Sequence, residues 1–62
     1  MVKVLDPDRD IIGVFESRED VPKRLWNRTC TYRYRRSDCD IVEVTDPKER
    51  ERLLPAMQAK GG

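Results

Sequence analysis

The chain is too short to enclose more than one thin hydrophobic core. Its sixty-two residues bury only about 60% of the surface that the unfolded chain exposes, so stability is expected to be marginal. The net charge of +1 gives no self-repulsion that would keep the chain open, which favours a folded state. We therefore predict one domain over residues 1–60, followed by a frayed tail at residues 61–62.

No apolar run approaches the ~20 residues that a membrane-spanning helix needs. The opening segment MVKVLDPD also lacks the basic-then-apolar pattern of a secretory signal. We expect a cytoplasmic protein that does not contact a membrane. We further expect Cys30 and Cys39 to be free thiols, because the hairpin predicted below separates them by roughly 20 Å, and a disulfide needs Cα atoms within about 7 Å.

Alternating apolar residues predict a β-hairpin at the start of the chain. Strands near 2–5 and 11–16 flank the loop DPDRD, whose proline and aspartates suit a tight connection. The core face of this hairpin is expected to hold two facing pairs: Val4 with Ile12, and Val2 with Val14.

The next segment, SREDVPKRLWN, changes to a helical period, with Val21 and Leu25 spaced to face inward. Pro22 is tolerated only within the first turn of a helix. We predict a short helix over residues 21–27.

The segment TCTYRYRRSDCDIVEVT returns to a two-residue period. It predicts a second hairpin around a three-residue loop at 37–39, with both tyrosines facing the core. The expected facing pairs are Tyr34 with Val42, Tyr32 with Val44, Arg33 with Glu43, and Arg36 with Asp40.

A strong helix start follows, with Asp46 as cap, Pro47 at the first position and Glu49 three residues after the cap. Pro55 is expected to kink this helix or to end it near Leu54 and start another turn. Its apolar stripe is expected to consist of Leu53, Leu54 and Met57. The predicted fold class is therefore α+β: a small four-stranded antiparallel sheet of two hairpins, in the order ββαββα, packed against one or two short helices.

Charge is distributed unevenly along the chain. Residues 1–22 hold three basic and six acidic side chains, and residues 37–62 hold four basic and six acidic ones. Residues 23–36 hold six basic side chains and no acidic one. A chain that is nearly neutral as a whole therefore contains one basic block.

Histidine and the common catalytic motifs are missing from the sequence. The chain has no histidine, the commonest general base and metal ligand near neutral pH. It also has no glycine-rich phosphate loop and no serine nucleophile motif, and two cysteines do not complete a tetrahedral zinc site. We predict a binding protein, not an enzyme, with no catalytic residues, cofactor, metal or small-molecule substrate.

Asp6, Asp8 and Asp10 are spaced like the carboxylates that open a calcium loop. Such a loop needs glycine at its sixth position and glutamate at its twelfth, where this chain has Ile11 and Ser17. We predict instead a hairpin turn in which aspartate side chains bond their own backbone.

The basic block is the candidate functional site. Arginine and aromatic residues in the same segment are typical of surfaces that bind single-stranded nucleic acid. We expect Tyr32 and Tyr34 to pack inside, and we expect the same of Trp26 unless it is exposed, in which case it becomes a contact for a protein partner. The predicted anion-binding residues are Lys23, Arg24, Arg28, Arg33, Arg35 and Arg36.

Three functions remain open from the sequence. The first is a small accessory or regulatory protein whose arginines bind an anionic surface, with nucleic acid as the leading partner and an acidic protein surface as the other. The second is an interaction module or inhibitor that binds a larger protein. The third is a structural protein that forms homodimers through Ile11, Phe15 and Ile41 on the outer sheet face. Pairing of the arginines with Glu19, Asp20, Asp40 and Glu43 would argue against the first.

Overall fold

A computed structural model describes residues 1–57, so the predicted boundary at 60 and the tail at 61–62 lie outside the described residues. The described chain is a small α+β fold with two antiparallel sheets and one short α-helix. This confirms the predicted fold class in its coarse form. The elements are β1 (Val2–Leu5), β2 (Ile11–Phe15), β3 (Arg24–Trp26), β4 (Arg33–Arg35), β5 (Asp40–Glu43) and α1 (Pro47–Leu53), with 3-10 turns at Arg18–Asp20, Arg36–Asp38 and Leu54–Ala56.

The larger sheet has the strand order β2-β1-β5, and all of its pairs are antiparallel. The predicted first hairpin is confirmed, but its predicted register is wrong by one residue. Val4 faces Gly13 and Val2 faces Phe15, because the ladder is irregular between Val4 and Leu5. The shift directs the large Phe15 ring into the core on the face that carries Val2.

Asp6 organises the loop between β1 and β2. Its buried carboxylate accepts hydrogen bonds from the backbone N–H groups of Asp8 and Asp10, each at 2.9 Å. Its own N–H donates to the carbonyl of Asp10 at 3.0 Å, and Arg9 adopts a left-handed φ of 71°. The Asp-rich segment is thus a turn in which an aspartate side chain bonds the backbone, as predicted.

The predicted single four-stranded sheet is wrong, because β4 pairs with β3 and β5 pairs with β1. Strand β1 is almost fully buried, and β5 satisfies the hydrogen-bonding groups along its second edge. A 3-10 turn at Arg36–Asp38 carries the chain from one sheet to the other. The four pairs predicted for the second hairpin are therefore not formed: Tyr34 with Val42, Tyr32 with Val44, Arg33 with Glu43, and Arg36 with Asp40.

The predicted helix over 21–27 is also wrong, since Arg24–Trp26 is the strand β3. Leu25 is buried while both of its neighbours are exposed, which is the two-residue period of a strand. A helix of seven residues that contains Pro22 in its first turn has little intrinsic stability. Pairing with β4 satisfies the backbone groups of β3 instead.

One small core joins the two sheets. Its buried members are Val2, Val4, Phe15, Val21 and Leu25, with Ile12, Cys39 and Ile41 packed against them. Three residues were predicted to form a homodimer interface on the outer sheet face. Two of them, Phe15 and Ile41, belong to this core instead. The third, Ile11, is exposed. This core includes residues from β1, β2, β3 and β5, and it therefore joins the two sheets. Leu5, Val14 and Val44 are buried outside this cluster.

The predicted helix start at Pro47 is confirmed. The Asp46 side chain accepts a hydrogen bond from the Lys48 N–H at 3.0 Å, and the helix gives way to a 3-10 turn that contains Pro55. An ion pair of 2.9 Å between Lys3 and Glu49 ties α1 to β1. The expected apolar stripe is only half-buried at Leu53, whereas Leu54 and Met57 are exposed. Among residues 1–57, no helix has the length and apolar character needed to cross a membrane.

Candidate anion-binding face

The register of β3 and β4 gathers most of the predicted basic residues on one surface. Arg24 faces Arg35, Leu25 faces Tyr34, and Trp26 faces Arg33. Side chains alternate along a strand, and residues directly opposite each other share a face. The outward face, called the basic face below, therefore consists of Arg24, Trp26, Arg33 and Arg35, and these four are all exposed.

Two arginines stand directly opposite each other on the basic face. Arg24 and Arg35 are cross-strand partners, and like charges in this relation destabilise a sheet. Within residues 1–57, no carboxylate forms an ion pair with either of them or with Arg33. Asp40, one of the carboxylates considered as a neutralising partner, forms its ion pair with Arg9 instead.

The next residues along the ladder extend the positive charge. The Arg36 N–H donates to the Lys23 carbonyl at 2.7 Å, and the Arg36 guanidinium donates to the Val21 carbonyl at 3.2 Å. These contacts place Arg36 at the end of the β3 and β4 pair that lies opposite the hairpin loop. A depression of about 330 Å³, called the cationic depression below, is lined by Lys23, Arg24, Arg35, Arg36 and Ser37.

Trp26 lies on the surface and not in the core, so the expectation of core packing is wrong for this residue. Its side chain is 50% exposed, and the Arg33 guanidinium carbon lies 5.2 Å from the ring centroid. A cation–π contact at an exposed site contributes about 0.5–1 kcal/mol. Of the two residues, Leu25 and Trp26, that were expected in the core, the structure buries Leu25.

The two tyrosines lie on the opposite side of the hairpin from Trp26. Tyr34 is half-buried opposite Leu25, while Tyr32 is 60% exposed, so the prediction of core packing fails for Tyr32. Their rings meet edge to face at 5.0 Å. Burial and then the carboxylates of Asp6 and Asp8 raise the pKa of the Tyr34 phenol above its usual 10.0.

Asn27 holds the loop of this hairpin without any charged group. Its N–H donates to the Tyr32 carbonyl at 2.7 Å, and its side-chain oxygen accepts from the N–H groups of Thr31 and Tyr32 at 2.8 and 3.2 Å. Cys30 completes the turn with a left-handed φ of 58°. The loop is therefore fixed by local hydrogen bonds, and it holds β3 and β4 in register.

Arg28 is separated from the other predicted anion-binding residues. It lies in the hairpin loop and borders a second depression of about 440 Å³, opposite the Asp-rich turn. The other members of that depression include Asp6, Asp8, Asp10 and Tyr34. The structure thus brings together five of the six predicted cations and leaves Arg28 in a mixed-charge setting.

Near the cationic depression, Cys39 is half-buried and its thiol donates to the Arg35 carbonyl at 3.4 Å. Burial, and then the charge of Asp38, raises the pKa of this thiol above its usual 9.0. Cys39 is therefore a protonated packing residue near pH 7 and adds no negative charge beside the arginines. Cys30, by contrast, is exposed in the hairpin loop, and both thiols are free.

The described residues define a small α+β domain with an exposed, unneutralised arginine face. Comparisons with protein-family models, with curated proteins and with solved structures found no match to this chain. Within the part of the chain that the structure describes, no cluster of three or more cysteine, aspartate or glutamate side chains is arranged to hold a metal ion.

Proposed function

We propose that the protein is a small accessory or regulatory protein that binds nucleic acid through the basic face and the cationic depression. The observation that carries this proposal is the direct opposition of Arg24 and Arg35, with no carboxylate paired to either among residues 1–57. This arrangement lowers the stability of the free protein. A local conflict of this kind is expected where a surface serves binding, because a bound anion removes the repulsion.

Nucleic acid is the preferred partner because of the kind and spacing of the groups. Arginine forms forked, charge-assisted hydrogen bonds with phosphate oxygens. The basic face and the cationic depression supply several cations side by side, which suits the regularly spaced phosphates of a nucleic-acid backbone. Trp26 and Arg33 add the aromatic and cationic surfaces on which bases stack.

Binding to a protein partner is the second candidate function. Tryptophan and arginine are the residue types most often found at the energetic centre of protein interfaces, and Trp26 is half-exposed beside Arg33. An acidic protein surface would then neutralise the arginines in place of phosphates. If the natural partner is a protein, the affinity for oligonucleotides is not expected to rise with the number of phosphates they carry.

The proposal is tested by titrating labelled DNA and RNA oligonucleotides at two salt concentrations and following fluorescence anisotropy. We expect binding at low salt that weakens steeply as salt rises, with a log–log slope of about −0.7 for each phosphate contact on a single strand, or about −3 for four contacts. The double variant Arg24→Gln/Arg35→Gln should bind more weakly and reduce the slope by about 1.4.

The matched control is Arg50→Gln/Arg52→Gln, at two exposed positions of α1. Both double variants remove two positive charges from a chain of net charge +1. The control should bind nearly as well as the unaltered protein, because Arg50 and Arg52 belong neither to the basic face nor to the lining of the cationic depression. Absence of oligonucleotide binding at low salt, or equal losses in the two double variants, would contradict the proposal.

A further inference from the structure

The geometry points to single-stranded nucleic acid as the ligand class, with a base stacked on Trp26 and the adjoining phosphate held in the cationic depression. This inference rests on the proposed function and makes it more specific. It assigns Trp26 a role that the charge of the block alone does not give, since a tryptophan contributes nothing to a purely electrostatic contact with phosphates.

The positions of Trp26 and the cations match the parts of one nucleotide. Trp26 and Arg24 lie two residues apart on the same face of β3, which corresponds to about 6.6 Å along the strand. A base and its own phosphate lie on either side of the sugar at a comparable separation. The cationic depression begins at Arg24 and Arg35, so a base above Trp26 leaves its phosphate beside both guanidinium groups.

The exposed surface of Trp26 distinguishes single strands from duplexes. The indole ring offers a broad apolar face and a single N–H donor, which suits stacking on a base and not the reading of base edges in a groove. In a duplex both faces of each internal base are covered by its stacked neighbours. Only an unpaired base presents a face that Trp26 can contact.

Arg33 does not block this contact. Its guanidinium lies over the Trp26 ring, but the pair is exposed and no carboxylate among residues 1–57 anchors Arg33. An arriving base can displace the guanidinium, because base stacking on an aromatic side chain is stronger than a cation–π contact in water. The displaced Arg33 then remains on the same face, where it can bind a neighbouring phosphate.

Trp26 is the sole tryptophan of the chain, so its intrinsic fluorescence reports directly on stacking. The experiment titrates the unaltered protein with three probes: a single-stranded oligonucleotide, a duplex with the same number of phosphates, and inorganic polyphosphate. We expect the single strand to bind more tightly than the duplex and to quench the fluorescence. Polyphosphate, which has no bases, should bind without comparable quenching.

Substitution separates stacking from charge. Trp26→Ala should weaken single-strand binding roughly five- to hundredfold while leaving polyphosphate binding unchanged, and Trp26→Phe should retain much of the affinity. The matched control is Tyr32→Ala, since Tyr32 is also an exposed aromatic residue but lies on the other side of the hairpin. Its single-strand affinity should not change. Circular dichroism checks that each variant is folded, and the quenching experiment does not depend on any variant.

The outcomes distinguish this inference from the proposed function. Equal affinity for single strand and duplex, without fluorescence quenching, would overturn the stacking role of Trp26 and leave nucleic-acid binding in place. Loss of affinity in Tyr32→Ala equal to that in Trp26→Ala would likewise overturn it. Failure of every oligonucleotide to bind at low salt would overturn both.

Discussion

At the scale of single residues, two positions adopt a backbone conformation that their side chains disfavour. Arg9 and Cys30 have left-handed φ values of 71° and 58° and lie in the two hairpin loops. For a residue with a Cβ atom this region costs about 1–2 kcal/mol relative to glycine. Both loops are fixed by neighbouring side chains, Asp6 and Asn27, whose hydrogen bonds offset that cost.

Cys30→Gly should therefore stabilise the protein. We expect the free energy of unfolding to rise by about 0.5–1 kcal/mol, because relief of the Cβ contact exceeds the extra freedom that glycine gives the unfolded chain. Urea unfolding followed by circular dichroism measures the change. Cys30→Ala is the control, since it removes the thiol but keeps the Cβ atom, and its stability should be unchanged. A glycine variant no more stable than the alanine variant would show that φ at this position is not strained.

At the scale of secondary-structure elements, the sequence predicts those whose signals are local. The first hairpin follows from DPDRD between two alternating segments, and α1 follows from the Asp46 cap and Pro47. The pairings of β3 with β4 and of β5 with β1 depend on contacts between residues that are distant in sequence. Leu25 is the one buried residue of β3, and a single apolar position cannot distinguish a strand from a helix.

The sequence predicted most of the cations of the candidate site, but not the separation of Arg28, the exposure of Trp26 or the arrangement of the face. The absence of acids from residues 23–36 identified the block of cations. The alternation in Arg-Leu-Trp and Arg-Tyr-Arg was the signal that could have placed Trp26 outside with the arginines, but each segment is only three residues long. The opposition of Arg24 and Arg35 requires the register between the two strands, which no local pattern specifies.

Arg35→Glu should stabilise the β3 and β4 pair while abolishing binding. The substitution replaces an opposed pair of like charges by an opposite-charge pair with Arg24, and we expect the free energy of unfolding to rise by about 0.2–1 kcal/mol. Urea unfolding measures stability, and anisotropy with a labelled oligonucleotide measures binding. Arg52→Glu on α1 makes the same change in net charge and should leave binding nearly intact. An Arg35→Glu variant that is less stable would show that the opposed arginines impose no cost on the fold.

At the scale of the whole molecule, both sheets depend on one core of few residues. Val2, Val4 and Phe15 come from the larger sheet and Leu25 comes from the smaller one, so neither can lose its partner without exposing apolar surface. A folded chain of 62 residues has an expected stability of about 3–9 kcal/mol. Truncation of one buried leucine costs about 2–5 kcal/mol, which is a large part of that total. The basic face is therefore held in place by the core of the larger sheet.

This dependence predicts that the molecule unfolds as one unit. Urea transitions followed by Trp26 fluorescence, which reports on the smaller sheet, and by far-ultraviolet circular dichroism, which reports on the whole chain, should coincide. Leu25→Ala should lower the free energy of unfolding by about 2–5 kcal/mol, and both urea midpoints should fall together. The variant should also lose oligonucleotide binding. Leu54→Ala, at a position that is 45% exposed, should change stability by no more than about 0.5 kcal/mol. A fluorescence transition at clearly lower urea concentration than the circular dichroism transition would show that the β3 and β4 hairpin opens by itself. The basic face would then be a locally mobile surface and not a rigid one.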